Sequence, residues 1–274
     1  MLKNLTDFIK LEDASKSLIK EVQQCLIDGG FLPAHEKADG LYGPITKKAF
    51  EEFKKSIYLG ELAFIGEDTA EKLLTLKPQQ KNTKLDVDYF YQRDNSTNLF
   101  GTGDRQCKLT CSAMLAHHLL KRADLKDLRQ MQVEGGYREP ESVYASYLKK
   151  YGDTIYNAPH VKALRDLNIT AHYSKEIQLE DIVELLNKNI PVPLSVDYKK
   201  GGHIILAVGF NPETKRFWMH DPFGRRAGAA HRYSDRSPLA GKYDVYSWGL
   251  MEKLYTKYWN RHALVATKVG DLHL

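Results

Sequence analysis

Cysteine is scarce in this chain, and long apolar runs are missing from it. Its 274 residues include only 3 cysteines, an odd number that argues against a disulfide scaffold and favours free, reactive or buried thiols. No apolar run approaches the roughly 18 residues that a membrane-spanning helix needs. The first residues, Met1 to Lys10, are interrupted by charges and lack the apolar stretch of a secretory signal. We therefore predict no stable membrane insertion, and synthesis in a cytoplasm without a signal peptide.

Motifs of metal and serine chemistry are missing as well. The sequence contains no H-E-x-x-H or C-x-x-C spacing, and adjacent histidines on a helix point about 100° apart, which does not suit a shared zinc ion. The nucleophile elbow G-x-S-x-G is also absent. We expect no metal and no cofactor. A metallopeptidase is the rival hypothesis, and it would depend on five histidines: His117, His118, His172, His220 and His231.

The composition is that of an ordinary globular protein, but the charge is uneven. Hydrophobic residues make up 42% and charged residues 27% of the chain, which provides enough apolar surface for a core and argues against disorder. Residues 1–80 carry 11 lysines and no arginine against 13 acidic residues, whereas the remainder carries 29 basic against 22 acidic residues. This step in net charge, from −2 to +7, predicts two modules. The basic residues are scattered and accompany no nucleic-acid-binding motif, so we expect an anionic or mixed-charge surface as partner, and no nucleic acid.

The spacing of apolar residues predicts mostly helices first and mostly strands later. Helical periodicity predicts helices at 15–29, 45–57, from about 68, and at 107–120, 124–131, 140–150, 159–167 and 178–188. Strands are predicted at 87–91, 192–196, 203–210, 216–220 and 262–268. This order indicates an α+β fold. We predict a helical domain at residues 1–78, a polar linker at 79–85 and a second domain at 86–274.

A turn in the first domain has the sequence DGLYGPIT, from Asp39 to Thr46. Its two glycines permit backbone angles that a Cβ would penalise, and its proline pre-sets the first turn of the next helix. Together with the helices around it, the turn resembles the peptidoglycan-binding-like domain over about residues 13–76. The resemblance implies a three-helix bundle that binds the bacterial cell wall, with Tyr42 and Asp39 as candidate substrate-binding residues. A structural bundle without a ligand is the alternative.

The second domain contains a thiol, an imidazole and a carboxylate at positions suited to catalysis. Cys107 stands where a helix begins, and the positive end of the helix dipole favours a thiolate there. Cys111 lies one turn deeper, where burial would raise the pKa of a thiol. His203 opens an apolar strand after Gly202, and Asp221 follows the next strand. Two adjacent antiparallel strands would bring His203 beside Asp221, which would orient the imidazole and stabilise its cation.

Four segments of this domain carry a second resemblance. They are Gln92 to Asn95, Cys107 to Met114, Gly202 to Ile205, and Asp221 with Pro222, and their order and spacing resemble the C39-like family of papain-fold cysteine peptidases over about residues 86–225. The resemblance implies a papain-like domain with a central antiparallel sheet.

The same resemblance implies roles for individual residues. Cys107 would be the nucleophile, His203 the general base and Asp221 the group that orients the histidine. The side-chain amide of Gln92 would donate to the oxyanion together with the backbone N–H of Cys107. Gly202 is a further candidate for substrate binding. The alternatives are Cys111 as nucleophile and Gln92 as the cap of a turn.

Together the two resemblances imply a peptidoglycan hydrolase similar to a bacteriophage endolysin. Such a protein would be made in the host cytoplasm, act on the cell wall and cut an amide bond in the peptide part of peptidoglycan; we expect a monomer. One alternative is a C39-type peptidase that processes leader peptides. Another is a non-catalytic wall-binding structural protein with a decayed peptidase fold. Lys108 stands where the family commonly has Gly or Asn, and its role is left open.

Overall fold

A computed structural model describes residues 1–33, 36–76, 82–95, 100–198, 202–228, 232–255 and 261–274. The chain divides into two compact units, Met1–Gln79 and Gln80–Leu274. Within the described ranges, no helix combines the length and the apolar character that crossing a membrane requires.

The first unit is built on α1 (Lys16–Asp28), α2 (Pro44–Ser56) and α3 (Glu67–Leu74), with a short antiparallel pair of β1 (Ile9–Lys10) and β2 (Phe64–Ile65). The Ser15 side chain accepts the Leu18 N–H at the start of α1, and a proline opens α2. Apolar residues at helical spacing on all three helices meet in one core that includes Val22, Phe53 and Leu73. These positions follow the periodicity from which the helices were predicted.

The second unit contains the longest helix at its centre and further helices around it. They are α4 (Cys107–Arg122), α5 (Leu128–Gly135), α6 (Pro140–Leu148), α7 (Asn157–Asp166), α8 (Leu179–Asn187) and α9 (Trp248–Leu254). Helix α4 is buried around most of its circumference. One side packs against the sheet, and the opposite side packs against neighbouring helices.

The strands of the second unit form a large antiparallel sheet. They are β3 (Thr83–Lys84), β4 (Ile169–Ser174), β5 (Val192–Val196), β6 (His203–Asn211), β7 (Arg216–His220), β10 (Asp244–Ser247), β11 (Ala263–Val269) and β12 (Leu272–His273). Among the described residues the main order is β10-β7-β6-β5-β11-β12, with β3 beside β6 and β4 beside β11. A separate hairpin joins β8 (Arg225–Arg226) and β9 (Tyr233–Asp235). This mixture of helices and one large antiparallel sheet confirms the α+β prediction.

The prediction of a strand at 87–91 is wrong. Val87 and Tyr89 are buried, but the segment pairs with no strand of the described residues, and two of its backbone groups have side-chain partners instead. The Val87 carbonyl faces Nε2 of His220 at 2.9 Å, and the Phe90 N–H donates to the Met114 sulfur at 3.3 Å. The nearby ladder is β3, which pairs with β6, so residues 83 and 84 of the predicted linker belong to the sheet. Residues 79–81 of the predicted linker lie outside the described ranges.

Other boundaries also differ from the prediction. The helix predicted at 124–131 starts at Leu128 instead, because Asp124 has a left-handed backbone (φ 53°) and Asp127 caps the new start with its side chain. Strand β4 was not predicted, although buried Ile169 and Ala171 alternate with exposed neighbours. Strand β10 and helix α9 were not predicted either. Both elements are short, with four and seven residues, and β10 pairs with β7 from an earlier part of the chain.

Candidate active site

Cys107 is the first residue of helix α4. A short 3-10 turn at Gly103–Arg105 leads into the helix, and the Gln106 carbonyl accepts the Thr110 N–H at 3.0 Å. The Asn95 amide donates to the Thr110 hydroxyl at 2.9 Å and anchors this first turn. The half-buried thiol of Cys107 therefore lies at the positive end of a 16-residue helix, as predicted from the sequence.

His203 and Asp221 come together at one end of the strand pair β6–β7. The register places Leu206 opposite His220, so that His203 and Asp221 lie diagonally across the pair on one face. Nε2 of His203 lies 2.7 Å from Oδ1 of Asp221. The histidine side chain is 6% exposed and that of the aspartate 0%, which shields their interaction from water.

The Cys107 thiol and the His203 ring lie close enough for each to shift the pKa of the other. Because Nε2 faces Asp221, Nδ1 is the ring nitrogen left for the sulfur. Burial alone would raise the pKa of the Cys107 thiol, but the hydrogen bond and charge of His203, with the N–H groups of Ile204 and Lys108, lower this pKa.

The pKa of His203 shifts in the opposite direction. Burial alone would lower it, whereas the charge of Asp221 and the hydrogen bonds of Asp221 and Cys107 raise the pKa of His203 to about 10. A lower thiol pKa and a higher imidazole pKa both favour a thiolate–imidazolium pair. The structure thus brings together three of the four residues to which a catalytic role was assigned.

Gln92 is fully buried and connects the two sides of this site. Its backbone N–H donates to the Pro222 carbonyl at 3.0 Å, directly after Asp221. Its side-chain nitrogen donates to the Gly103 carbonyl at 2.7 Å, in the turn that leads into Cys107. Its Oε1 has no partner among the described residues. One of the two hydrogens of the Gln92 side-chain amide is thus hydrogen-bonded. Through its side chain and its backbone, Gln92 links the turn before Cys107 to the segment after Asp221.

Lys108 binds the start of α7 and the residue two positions before it. Its Nζ donates to the Ile155 carbonyl at 2.8 Å and to Oδ1 of Asn157 at 2.7 Å. Burial lowers the pKa of Lys108 to about 8, while the charge of Cys107 opposes this shift. The lysine therefore holds Ile155 and the start of α7 beside the first turn of α4.

The remaining predicted residues have different surroundings. Asp39 accepts the Gln23 side-chain N–H at 3.0 Å and the Leu41 N–H at 2.8 Å, which makes it part of its own turn. Tyr42 is partly buried and packs against the core of the first unit. Gly202 has φ 75° and directly precedes His203, where the left-handed backbone suits glycine.

Two tyrosines near the site were not identified from the sequence. The hydroxyls of Tyr233 and Tyr246 donate to Oδ2 of Asp221 at 3.1 and 3.2 Å. No motif marks either tyrosine. Tyr246 is buried in the core of the second unit.

Cys111, the alternative nucleophile, is buried and inaccessible. Its thiol donates to the Ile204 carbonyl at 3.4 Å, and burial raises the pKa of Cys111 well above its ordinary range. Cys25, in the first unit, packs against the core there. Of the three thiols, that of Cys107 alone contacts a histidine that is itself bound to a carboxylate.

Three histidines of the metal hypothesis, His117, His118 and His220, have separate partners. Nε2 of His117 lies 2.6 Å from Oδ2 of Asp88, and His118 faces Asn189. Burial lowers the pKa of His220 to about 4. His231 lies outside the described ranges, within which no group of three or more His, Cys, Asp or Glu side chains suits a metal ion.

A thiol, an imidazole and a carboxylate in contact on a mixed α and β scaffold define a candidate thiol hydrolase. A family model described as the Peptidase_C39 like family matches residues 84–255, so the chain belongs to this family, and membership supports a cysteine peptidase. A solved structure described as a C39-like peptidase from Bacillus anthracis is similar with a TM-score of 0.42 and 12% identity, covering 69% of this chain and 98% of the other. The search of curated proteins found no match.

Proposed function

We propose that the protein is a cysteine peptidase that cuts an amide bond in the peptide part of bacterial peptidoglycan. The observation that carries the proposal is the continuous contact from the Cys107 thiol through His203 to Asp221, with 2.7 Å between the histidine and the carboxylate. A nucleophile held against a base, which is itself held by a third group, is the arrangement that acyl transfer to a thiol requires. Membership in the C39-like family supports the same chemistry.

The reaction follows from the charges of the pair. The Cys107 thiolate attacks the carbonyl carbon of the scissile amide, so that a C–S bond forms and the carbonyl oxygen takes the negative charge. The His203 imidazolium gives its proton to the leaving nitrogen as the C–N bond breaks, which leaves a thioester. Neutral His203 then takes a proton from a water molecule whose oxygen attacks the thioester. The C–S bond breaks, the acid product departs and the thiolate–imidazolium pair is restored.

The developing oxyanion requires donors that are already in place. The Cys107 backbone N–H, at the N-terminus of α4, is one candidate, because the first N–H groups of a helix have no partner within it. The second is the remaining hydrogen of the Gln92 amide, whose other hydrogen is bound by Gly103. Buried donors of this kind cost little reorganisation at the moment of reaction.

The first unit supplies the argument for the substrate. Its turn from Asp39 to Thr46 carries the resemblance to wall-binding domains, and Gln23 orders this turn by donating to Asp39 and accepting the Gly40 N–H at 2.7 Å. Tyr42 and Asp39 are the candidate contacts with the wall. A binding unit on the same chain raises the effective concentration of the thiol at an insoluble polymer. This combination supports an endolysin-like hydrolase.

The proposal is tested by the loss of turbidity of permeabilised bacteria and by the digestion of purified sacculi. We expect Cys107→Ala to reduce lysis at least a thousandfold, because the nucleophile is removed, a loss on the order of those seen for other catalytic nucleophiles. Cys25→Ala is the matched control: it also removes a thiol, but from the other unit, and it should lyse like the wild type. Equal lysis by Cys107→Ala and wild type would show that the mechanism is wrong.

Mass spectrometry of the digest identifies the substrate and the bond. New amino and carboxyl termini in stem peptides or cross-bridges would support peptidoglycan cleavage. If sacculi stay intact while a soluble leader peptide is cut in a Cys107-dependent manner, the thiol mechanism stands and the substrate is a leader peptide. If Cys107 reacts with iodoacetamide no faster than a free thiol near neutral pH, this result favours the alternative of a non-catalytic protein with a decayed peptidase fold.

A further inference from the structure

The carboxylate of Asp221 is buried and saturated with donors. Oδ1 takes the His203 ring at 2.7 Å and the Phe223 N–H at 3.0 Å. Oδ2 takes two phenolic hydroxyls, that of Tyr233 at 3.1 Å and that of Tyr246 at 3.2 Å. Among the ion pairs of the described residues, His203 is the one cationic partner of this carboxylate. Half of its hydrogen bonds thus come from two neutral tyrosines.

We propose that Tyr233 and Tyr246 are positioning residues whose hydroxyls hold the Asp221 carboxylate against His203 and so sustain the reactive state of Cys107. The proposal rests on the proposed thiol chemistry and adds two residues to it. Neither tyrosine touches the reacting atoms; each acts through the carboxylate.

The two hydroxyls are fixed from different directions. Tyr246 extends from β10, next to β7 in the sheet, and is 1% exposed. Tyr233 extends from β9 of the separate hairpin, and its ring packs against Phe223 at 4.8 Å and edge-on against Tyr198 at 5.3 Å. Both rings are held by packing, so their hydroxyls define where Oδ2 lies. With Oδ2 fixed, Oδ1 is directed at the histidine.

Neutral donors suit this position better than a cation would. A hydroxyl stabilises a carboxylate by a charge-assisted hydrogen bond and adds no positive charge. A lysine or arginine bound at Oδ2 would repel the imidazolium that Asp221 stabilises. The other titratable and charged groups near the carboxylate fit this account. Those that interact with Asp221 are His203 on β6, Tyr233 on β9, Tyr246 and Asp244 on β10, Cys111 on α4, Tyr89 and Tyr198. Arg226 on β8 interacts with Tyr246 and Asp244 instead.

The test follows the thiolate of Cys107 rather than turnover. The full chain is alkylated with iodoacetamide between pH 3 and pH 9, and the modification of Cys107 is read on its own peptide by mass spectrometry. The wild type should react with an acid midpoint well below that of a free thiol, because His203 stabilises the thiolate. In Tyr233→Phe and in Tyr246→Phe the carboxylate loses one donor. Without that donor Oδ1 is no longer held against His203, so the imidazolium is less stabilised, and the midpoint should rise by about one pH unit, with a larger rise in the double variant.

Controls separate positioning from folding. Tyr255→Phe removes a buried hydroxyl that donates to the Ile177 carbonyl at 3.3 Å, and it should leave the midpoint unchanged. Thermal melting shows which variants are folded. If Tyr246→Phe does not fold, the partly exposed Tyr233→Phe carries the test by itself.

The outcomes for this inference and for the proposed function differ. Unchanged midpoints in folded tyrosine variants, with a reactive wild-type Cys107, would overturn the positioning role and leave the thiol mechanism intact. A wild-type Cys107 that reacts like a free thiol would overturn the mechanism itself. A lower melting temperature with an unchanged midpoint would mean that the tyrosines are only structural.

Discussion

At the scale of single residues, the reactive state of Cys107 depends on which of two opposing effects is larger. Burial opposes the thiolate, whereas the imidazolium of His203 and two backbone N–H groups favour it. Burial keeps the Cys111 thiol protonated, because it raises the pKa of Cys111 and the charges of Cys107 and Asp221 raise this pKa further. Two cysteines one helical turn apart thus differ in chemistry because only one of them contacts a histidine.

The pH range of activity follows from His203. Asp221 raises the pKa of His203 to about 10, so the imidazolium persists below that pH and is lost above it. We expect Asp221→Asn to move the alkaline limb of activity to lower pH, because the neutral amide no longer stabilises the cation, and to lower kcat/KM by roughly a hundredfold. The measurement is the pH profile of peptide cleavage. An alkaline limb that stays in place would contradict the role of Asp221.

At the scale of elements, the strand pair β6–β7 and the turn after it determine where the carboxylate lies. A register shift in this pair, between Ala207 and Gly209, puts an extra residue on β6 and sets which side chains share a face. After β7, the Asp221 N–H donates to the Gly241 carbonyl at 3.0 Å. A turn from a later part of the chain therefore holds the backbone of Asp221.

Gly241 tests this close approach. A Cβ at position 241 would overlap the Asp221 carbonyl oxygen and lie 2.9 Å from the Gly224 carbonyl oxygen. Because both obstacles are backbone atoms, we expect Gly241→Ala to displace Asp221, lower stability by about 1–3 kcal/mol and reduce cleavage at least tenfold. Thermal melting and peptide cleavage are the measurements. Gly60→Ala, where the added atom meets open space, should change neither; full activity in folded Gly241→Ala would show that the turn does not position the carboxylate.

At the scale of the whole molecule, each unit has its own core and its own charge. Residues 1–80 carry −2 and the remainder +7, so the proposed catalytic unit is the basic one. Bacterial envelopes are anionic, and long-range attraction between opposite charges is screened by salt. Wall binding by the first unit and charge attraction by the second would then act together.

Ionic strength separates these contributions. We expect lysis of permeabilised cells to fall about tenfold or more between low salt and about 0.3 M salt, because the attraction is screened over a few ångströms at that concentration. Cleavage of a small neutral peptide by the same enzyme should change little, since it does not depend on steering. Equal salt sensitivity in both assays would exclude charge attraction from the function.

The local features of this protein could be predicted from its amino-acid sequence. Periodicity predicted most helices and four of the main strands. Cys107, His203 and Asp221 were proposed as catalytic from their positions at the ends of helices and strands and from the resemblance to C39-like peptidases. Other features depend on the packing of distant segments. Packing made 87–91 a buried segment with side-chain partners, brought His203 to both Cys107 and Asp221, and placed Tyr233 and Tyr246 on Asp221. Contacts between residues far apart in the chain leave no periodic pattern, because they depend on how the elements pack.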